Sequence, residues 1–334
     1  MKKAQEFFRE QLTQNSSEQA NNARKYLSKR NITQELIEKV GIGFAPNNQI
    51  LIKSLLEYLK EKNIYGVKAL RTLFECGLIN QQGYSFFQGR ITFPIATVDG
   101  NILAFNARVT NGQTENKYKN SPANIIFSKK HMLYGLENLD LEVVQREGLV
   151  LVEGITDTFG FVKQELNNAL VLGSAKLTPY HLSIIHALRP KHLYIVPDND
   201  LAGIHGAISN ANKILGSRIT INSKSARQEN VSIVPINGEK SDPFDLFFTQ
   251  EYDISRYLKQ NAHTPLEFLV KQPLETLIYY QQGDKPSKQF ILNNTGNIAT
   301  PINLEQVGIT LTHYEEQKES RIRIEPVSKY ILGI

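Results

Sequence analysis

The sequence predicts an α/β protein: an α+β amino-terminal part, a mainly parallel sheet in the middle, and a helical carboxyl-terminal region. Three observations predict it. Apolar residues recur at helical spacing through the first forty residues, a hairpin pattern begins at Arg90, and after Gly148 short apolar runs alternate with helical stretches. The expected boundaries are 1–146 for the α+β part, 147–250 for the parallel sheet and 251–334 for a helical segment with an unassigned tail.

Phe7, Phe8, Leu12, Tyr26, Leu27, Leu36, Ile37 and Val40 fall at helical spacing, broken by the polar Asn15-Ser16-Ser17, so the start reads as two or three short helices. Thr33 ahead of Glu35 and Leu36 marks a helix start, and Gly41 and Gly43 close the segment before Phe44-Ala45-Pro46. Two further helices cover Ile50 to Lys60 and Gly66 to Cys76. The runs from Ile91 to Ile95 and from Ile102 to Arg108 read as strands joined by the Asp99-Gly100 turn.

Leu149 to Val152 leads to a helix near Thr156 to Gln164, Ala169 to Leu172 to one beginning near Thr178, and His192 to Val196 to one from about Ala202 to Leu215. Continuous apolar strands alternating with helices indicate a sheet covered on both faces, and such sheets bind ligands outside the carboxyl ends of their strands. Further on, Thr264-Pro265-Leu266-Glu267 opens a helix reaching Tyr280, and Ile309 to Thr312 and Arg321 to Ile324 read as strands.

The chain has 334 residues, 41% of them hydrophobic, enough for two or three modest domains. No apolar run reaches the roughly eighteen residues of a membrane span, and Met1-Lys2-Lys3-Ala4-Gln5-Glu6 turns polar before a signal-peptide core forms. The expectation is a cytoplasmic protein without a membrane partner. One cysteine, Cys76, excludes an internal disulfide, and with 7 histidines no cluster has zinc-ligand spacing. A net charge of +5 and a pI near 9.0 are compatible with a polyanionic partner, although many proteins without one share them.

Three acidic clusters fall where apolar strands end: Glu153 with Asp157, Asp198-Asn199-Asp200, and Asp242 with Asp245. A strand end positions a side chain stiffly while the following loop leaves it wet, which suits a hard divalent cation using a few carboxylates, waters and substrate phosphates. Carboxylates gathered without a cation would repel one another. The alternative for each is a helix cap or a solvated loop charge, and Asp157 in particular reads equally as a cap beside a working Glu153.

In this order the clusters resemble the Toprim domain of DnaG-type primases, topoisomerases and some nucleases, with Glu153, Asp198 and Asp200 at the catalytic positions. Asp242 and Asp245 match the acidic element that follows. Segments in front resemble the RNA-polymerase core of DnaG-type primases: Lys25 to Asn31, Val40 to Pro46, Phe87 to Ile95, Lys117-Tyr118-Lys119-Asn120-Ser121-Pro122, and Phe127 to Leu136. The resemblance spans roughly Ala4 to Leu269. It implies Mg²⁺, for which Mn²⁺ can substitute, held by Glu153, Asp198, Asp200, Asp242 and Asp245, with Asp157 and Gly173 in support. It implies that Arg90, Arg108, Lys117, Tyr118, Asn120 and Lys129 face template, primer or nucleotide phosphates. The implied activity is template-directed synthesis of RNA primers from ribonucleoside triphosphates on single-stranded DNA.

Two departures stand out. Asn199 replaces the glycine of the family's Asp-Gly-Asp, and the family's zinc module and helicase-docking region are not recognisable. The expectation is therefore an excised core or a compact primase of a mobile element, with a replicative helicase or a separate template-recognition protein as partner. A Toprim nuclease and a non-catalytic DNA-binding replication protein are the competing readings.

Overall fold

Three helices open the chain. The structure, a computed structural model, describes residues 1–46, 49–110, 117–173, 176–217, 219–222, 224–236 and 242–268. Helix α1 (Lys2–Gln14) buries Ala4, Phe7, Phe8 and Leu12, one stripe of a 3.6-residue repeat. In α2 (Glu18–Lys29) the Ser17 side chain accepts from the Ala20 N–H, and in α3 (Gln34–Val40) Thr33 does the same for Leu36. Gly41 ends α3 at φ +74°, a left-handed cap. Gly43 is not part of that turn but begins strand β1 (Gly43–Ala45). A Cβ on it would lie 2.6 Å from Phe8 Cβ, so its lack of a side chain lets α1 lie directly on the strand.

Helices α4 (Ile50–Glu61) and α5 (Gly66–Glu75) follow, then strands β2 (Arg90–Ala96), β3 (Ile102–Val109) and β4 (Tyr118–Asn120). With β1 they form an antiparallel sheet in the order β1-β2-β3-β4. Gly100, at φ +75°, makes the turn between β2 and β3 that Asp99-Gly100 predicts.

The second sheet contains β5 (Leu133–Tyr134), β6 (Leu149–Val152), β7 (Ala169–Leu172), β8 (Leu193–Ile195) and β11 (Val231–Ile233), in the order β11-β8-β6-β7-β5. All its pairings are parallel except that of β5 with β7. Strands β9 (Thr220–Ile221) and β10 (Lys224–Ser225) form a separate hairpin. Helix α6 (Leu141–Glu147) precedes the parallel strands, which alternate with α7 (Phe159–Lys163), α8 (Pro179–Leu188) and α9 (Leu201–Leu215); α10 (Ile254–Asn261) comes later.

Side-chain alternation along the strands divides two cores. Val150, Val152 and Val171 join Phe159, Phe161 and Phe247 and reach Ile91, Phe93 and Ile95 of β2; Leu149, Leu151, Leu170 and Ile195 join Ala207, Ala211 and Ile214 of α9. The first core is shared by both sheets, and Met1–Leu269 is one compact unit. Truncating a residue as enclosed as Phe159 would cost about 3–5 kcal/mol.

The stretch expected as one helix from Thr156 to Gln164 is a 3-10 turn at Ile155–Thr158 followed by the short α7. Asp157 Oδ2 accepts from the Gly154 N–H at 2.6 Å, which pulls this turn tight. Residues 265–268 are helical as expected; the rest of that expected helix and the two expected tail strands lie outside the described residues.

Candidate metal and phosphate site at the strand ends

Strand order reverses at β6. The chain moves from β6 to β7 on one side and then places β8 on the other, so the carboxyl ends of β6 and β8 flank a topological switch point. Glu153 directly follows β6, and Asp198 follows β8 after Val196 and Pro197. Gly203, in the first turn of α9, brings the two together. A Cβ there would lie 2.6 Å from the Asp198 carbonyl oxygen and 2.8 Å from Glu153 Oε1.

The electrostatics follow from this crowding. Partial burial, then the charge of Asp198, pushes the Glu153 carboxyl up to about 7, even though the residue as a whole is exposed. Burial, then Asp242 and Asp200, pushes Asp198 up to about 6, while Lys117 acts in the opposite direction. Asp198 Oδ1 is buried and has no hydrogen-bond partner among the described residues. An orphaned carboxylate oxygen beside acids that resist ionisation fits a hard cation, which would supply the missing partner and relieve the repulsion. Among the described residues no three acidic, histidine or cysteine side chains converge into a ready-made cage. That suits an ion held by one or two carboxylates plus waters and substrate phosphates.

The other acids have structural partners. Asp200 caps α9, its Oδ1 accepting from the Gly203 N–H at 2.8 Å. Asp242 Oδ1 accepts from the Asp245 N–H at 2.8 Å. Asp157 is 3% exposed, and burial followed by the charge of Asp198 holds its carboxyl well above the usual range. Asn199 is absent from the positive-φ residues, so its position does not require the family's glycine. Gly173 is needed for close approach: a Cβ would fall 2.4 Å from Met132 Cβ and 2.8 Å from the Lys129 carbonyl. Lys129, Glu153 and Gly173 line a cavity of about 240 Å³ under α9.

The cations come from the antiparallel sheet. Lys117 is exposed; the charges of Arg108 and Arg30 hold its ammonium below the usual lysine range, while those of Asp242 and Asp198 act in the opposite direction. Arg108 is 6% exposed and donates to the Tyr118 hydroxyl, so its charge acts on the site from within. The Tyr118 hydroxyl also shares a hydrogen bond with Thr156, which ties β4 to the loop after β6. Arg90 donates to the Lys117 carbonyl at 3.4 Å, and Asn120 Oδ1 accepts from Asn106 at 2.7 Å.

Sequence reasoning missed Arg30 and Thr156. Arg30 follows α2, lies 5.2 Å from the Phe244 ring centroid, and favours the ionised form of Asp245. Its partners Phe244 and Asp245 lie more than two hundred residues away, so the Lys25 to Asn31 segment that contains it does not reveal what it meets.

Residues 7–140 match the model of the DNA primase catalytic core, N-terminal domain, and residues 150–232 match a Toprim-like model. A Staphylococcus aureus DNA primase is 29% identical over 222 residues, 65% of this chain and 35% of that protein; a Myxococcus xanthus DNA primase is 28% identical over 206 residues, 60% and 32%. The chain thus spans about a third of the length of these relatives. Among solved structures, a DNA primase domain from Pseudomonas aeruginosa aligns with a TM-score of 0.64 and 26% identity over 89% of this chain and 85% of that one. The RNA polymerase domain of Mycobacterium tuberculosis primase DnaG aligns at 0.64 and 22% over 90% and 91%. With an amino-terminal catalytic-core domain joined to a Toprim-like domain that carries Glu153, Asp198 and Asp200, the chain belongs to the family of DnaG-type primase catalytic cores.

Proposed function

We propose that this chain is the catalytic core of a DNA primase, which joins ribonucleoside triphosphates into short RNA primers on single-stranded DNA. The observation that carries this reading is Lys117. Its ammonium responds to the charges of Arg30 and Arg108 as well as to those of Asp198 and Asp242, so one side chain couples the cations assigned to phosphate with the acids assigned to the metal. Nucleotidyl transfer requires both. A structural relative, the DnaG primase catalytic domain, is bound to single-stranded DNA, and its fold aligns with a TM-score of 0.63.

In this reading Glu153 and Asp198 are the principal ligands of Mg²⁺, or of Mn²⁺ in its place, with Asp200, Asp242 and Asp245 contributing through water or substrate. When bound, the ion polarises the attacking hydroxyl and neutralises charge on the leaving group. Lys117 and Arg30 take the β- and γ-phosphates, holding the α-phosphorus in line with the primer 3′-oxygen. The 3′-oxygen bonds to the α-phosphorus as the bond from that phosphorus to the bridging oxygen breaks; the hydroxyl proton passes to solvent, and pyrophosphate departs with the bridging oxygen, its growing charge met by cations already in place. Arg90, Tyr118, Asn120 and Lys129 border the path of template and primer, where basic groups neutralise backbone phosphates and a ring can stack on a base. Arg108 fixes Tyr118, while Asp157 and Gly173 hold the loops.

The segments 1–146, 147–250 and 251–334 are assigned to phosphate and template binding, metal binding, and a helical region with an unassigned tail. Among the described residues no helix is long and apolar enough to cross a membrane. The work assigned to the chain is cytoplasmic, with a replicative helicase or a template-recognition protein as partner. The test supplies end-labelled single-stranded DNA, ribonucleotides and Mg²⁺ or Mn²⁺. Incorporation of ribonucleotides supports the reading; metal-dependent cleavage of the DNA without incorporation replaces it with a nuclease.

A further inference from the structure

Rings and guanidiniums alternate in a ladder between the amino-terminal sheet and the acidic loops. Arg30 Cζ lies 5.2 Å from the Phe244 ring centroid and 5.4 Å from that of Tyr26; Arg108 Cζ lies 5.2 Å from Tyr26 and 5.0 Å from Tyr118. All four distances are within the range where a cation is attracted to the negative face of a ring. Tyr26 is the rung that the two guanidiniums share. Four residues apart at the end of α2, Tyr26 and Arg30 fall on one helix face.

The Tyr26 hydroxyl is buried without a hydrogen-bond partner among the described residues. What it offers is the ring. The two cations near it would otherwise repel each other in a partly buried setting, as each does with Lys117. Arg108 has a second anchor in the Tyr118 hydroxyl. Among the described residues Arg30 lies against these two rings and feels the charge of Asp245, so removing the Tyr26 ring takes away one of its two ring contacts.

Resting on the primase reading, we propose that Tyr26 is a positioning residue for nucleotide binding. Its ring holds Arg30 beside Arg108 and Lys117 in the arrangement that receives the triphosphate. Tyr26 itself touches no substrate. Its loss acts on affinity more than on the chemical step, because the carboxylates stay in place.

The test compares wild type with Tyr26→Leu and Tyr26→Phe, measuring ATP affinity by equilibrium titration with Mg²⁺ and KM and kcat for ribonucleotide incorporation. Tyr26→Leu is expected to weaken ATP binding and raise KM by about tenfold, the combined effect of two lost ring contacts, with a much smaller change in kcat. Tyr26→Phe, which keeps the ring, is expected to restore both. A fold defect alone would lower apparent kcat and leave the KM of the folded fraction unchanged. Unchanged ATP affinity in Tyr26→Leu overturns the proposal, as does failure of phenylalanine to rescue it. If wild type incorporates no ribonucleotide, the primase reading falls, while the ATP titration still decides the role of Tyr26.

Discussion

Replacing Gly203 by alanine separates stability from activity. At an ordinary helix position the change favours the folded state by about 1 kcal/mol. Here the new Cβ would sit 2.6 Å from the Asp198 carbonyl oxygen, 3.0 Å from the Asp198 nitrogen and 2.8 Å from Glu153 Oε1. Carbon and oxygen meet at about 3.3 Å, so the backbone of Asp198 must retreat by roughly 0.7 Å. Overpacking of this kind costs about 1–3 kcal/mol, which offsets the helical gain and leaves a net loss of about 0–2 kcal/mol. The shift acts on both principal metal carboxylates, and misplacement by about 1 Å at a reacting centre costs on the order of a hundredfold in rate. Urea unfolding followed by circular dichroism gives the first quantity, and ribonucleotide incorporation per folded molecule gives the second. A Gly203→Ala protein that is more stable than wild type and equally active would refute the crowded geometry.

Three further outcomes follow from the same structure. Asp198→Asn removes an acid whose charge the metal-free fold disfavours, so at pH 7.5 it should raise the melting temperature without Mg²⁺ and abolish the rise that Mg²⁺ gives wild type; an equal Mg²⁺ response in both proteins would count against Asp198 as a ligand. Burial pushes Glu137 from 4.5 up to about 7, and its Oε2 has no partner. An acid raised on folding contributes its full stability below its unfolded value and loses it as pH rises through the folded one, here between about 4.5 and 7, by roughly 3 kcal/mol at most. Glu137→Gln should therefore match wild type near pH 4.5 and exceed it at pH 8 in denaturant midpoints, and parallel pH profiles would disprove this. Arg30→Met should weaken ATP binding about tenfold or more, the worth of one charged hydrogen bond, and unchanged affinity would remove Arg30 from the phosphate site.

Much of this was legible in the chain. Apolar runs such as Leu149 to Val152 are buried on both faces and so read as parallel strands, and Glu153 and Asp198 could be placed at strand ends before any coordinates; Asp242 and Asp245, expected at a strand end too, instead lie nine or more residues beyond β11, where Asp245 opens a helical turn. Thr33, Gly41 and Thr178 act through local hydrogen bonds or local φ, and local sequence reveals such effects. Short strands such as β5 and β11 carry too few residues for a period to show. Their pairing is decided by the neighbouring strands. The partnership of Arg30 with Phe244, and of Thr156 with Tyr118, depends on tertiary contact across the shared core. Gly173 entered only through the resemblance, and the close approach of Met132 that requires a glycine there depends on tertiary contact.

The central claim is that the strand-end acids and the Lys117 cations form one nucleotidyl-transfer site. Primer synthesis on single-stranded DNA with Mg²⁺, measured side by side for wild type and Asp198→Ala at matched folded concentration, tests it most directly. The account predicts RNA products from wild type and a loss of a thousandfold or more in the variant, the order expected when electrostatic stabilisation of the transition state is removed. Undiminished synthesis by Asp198→Ala would contradict it.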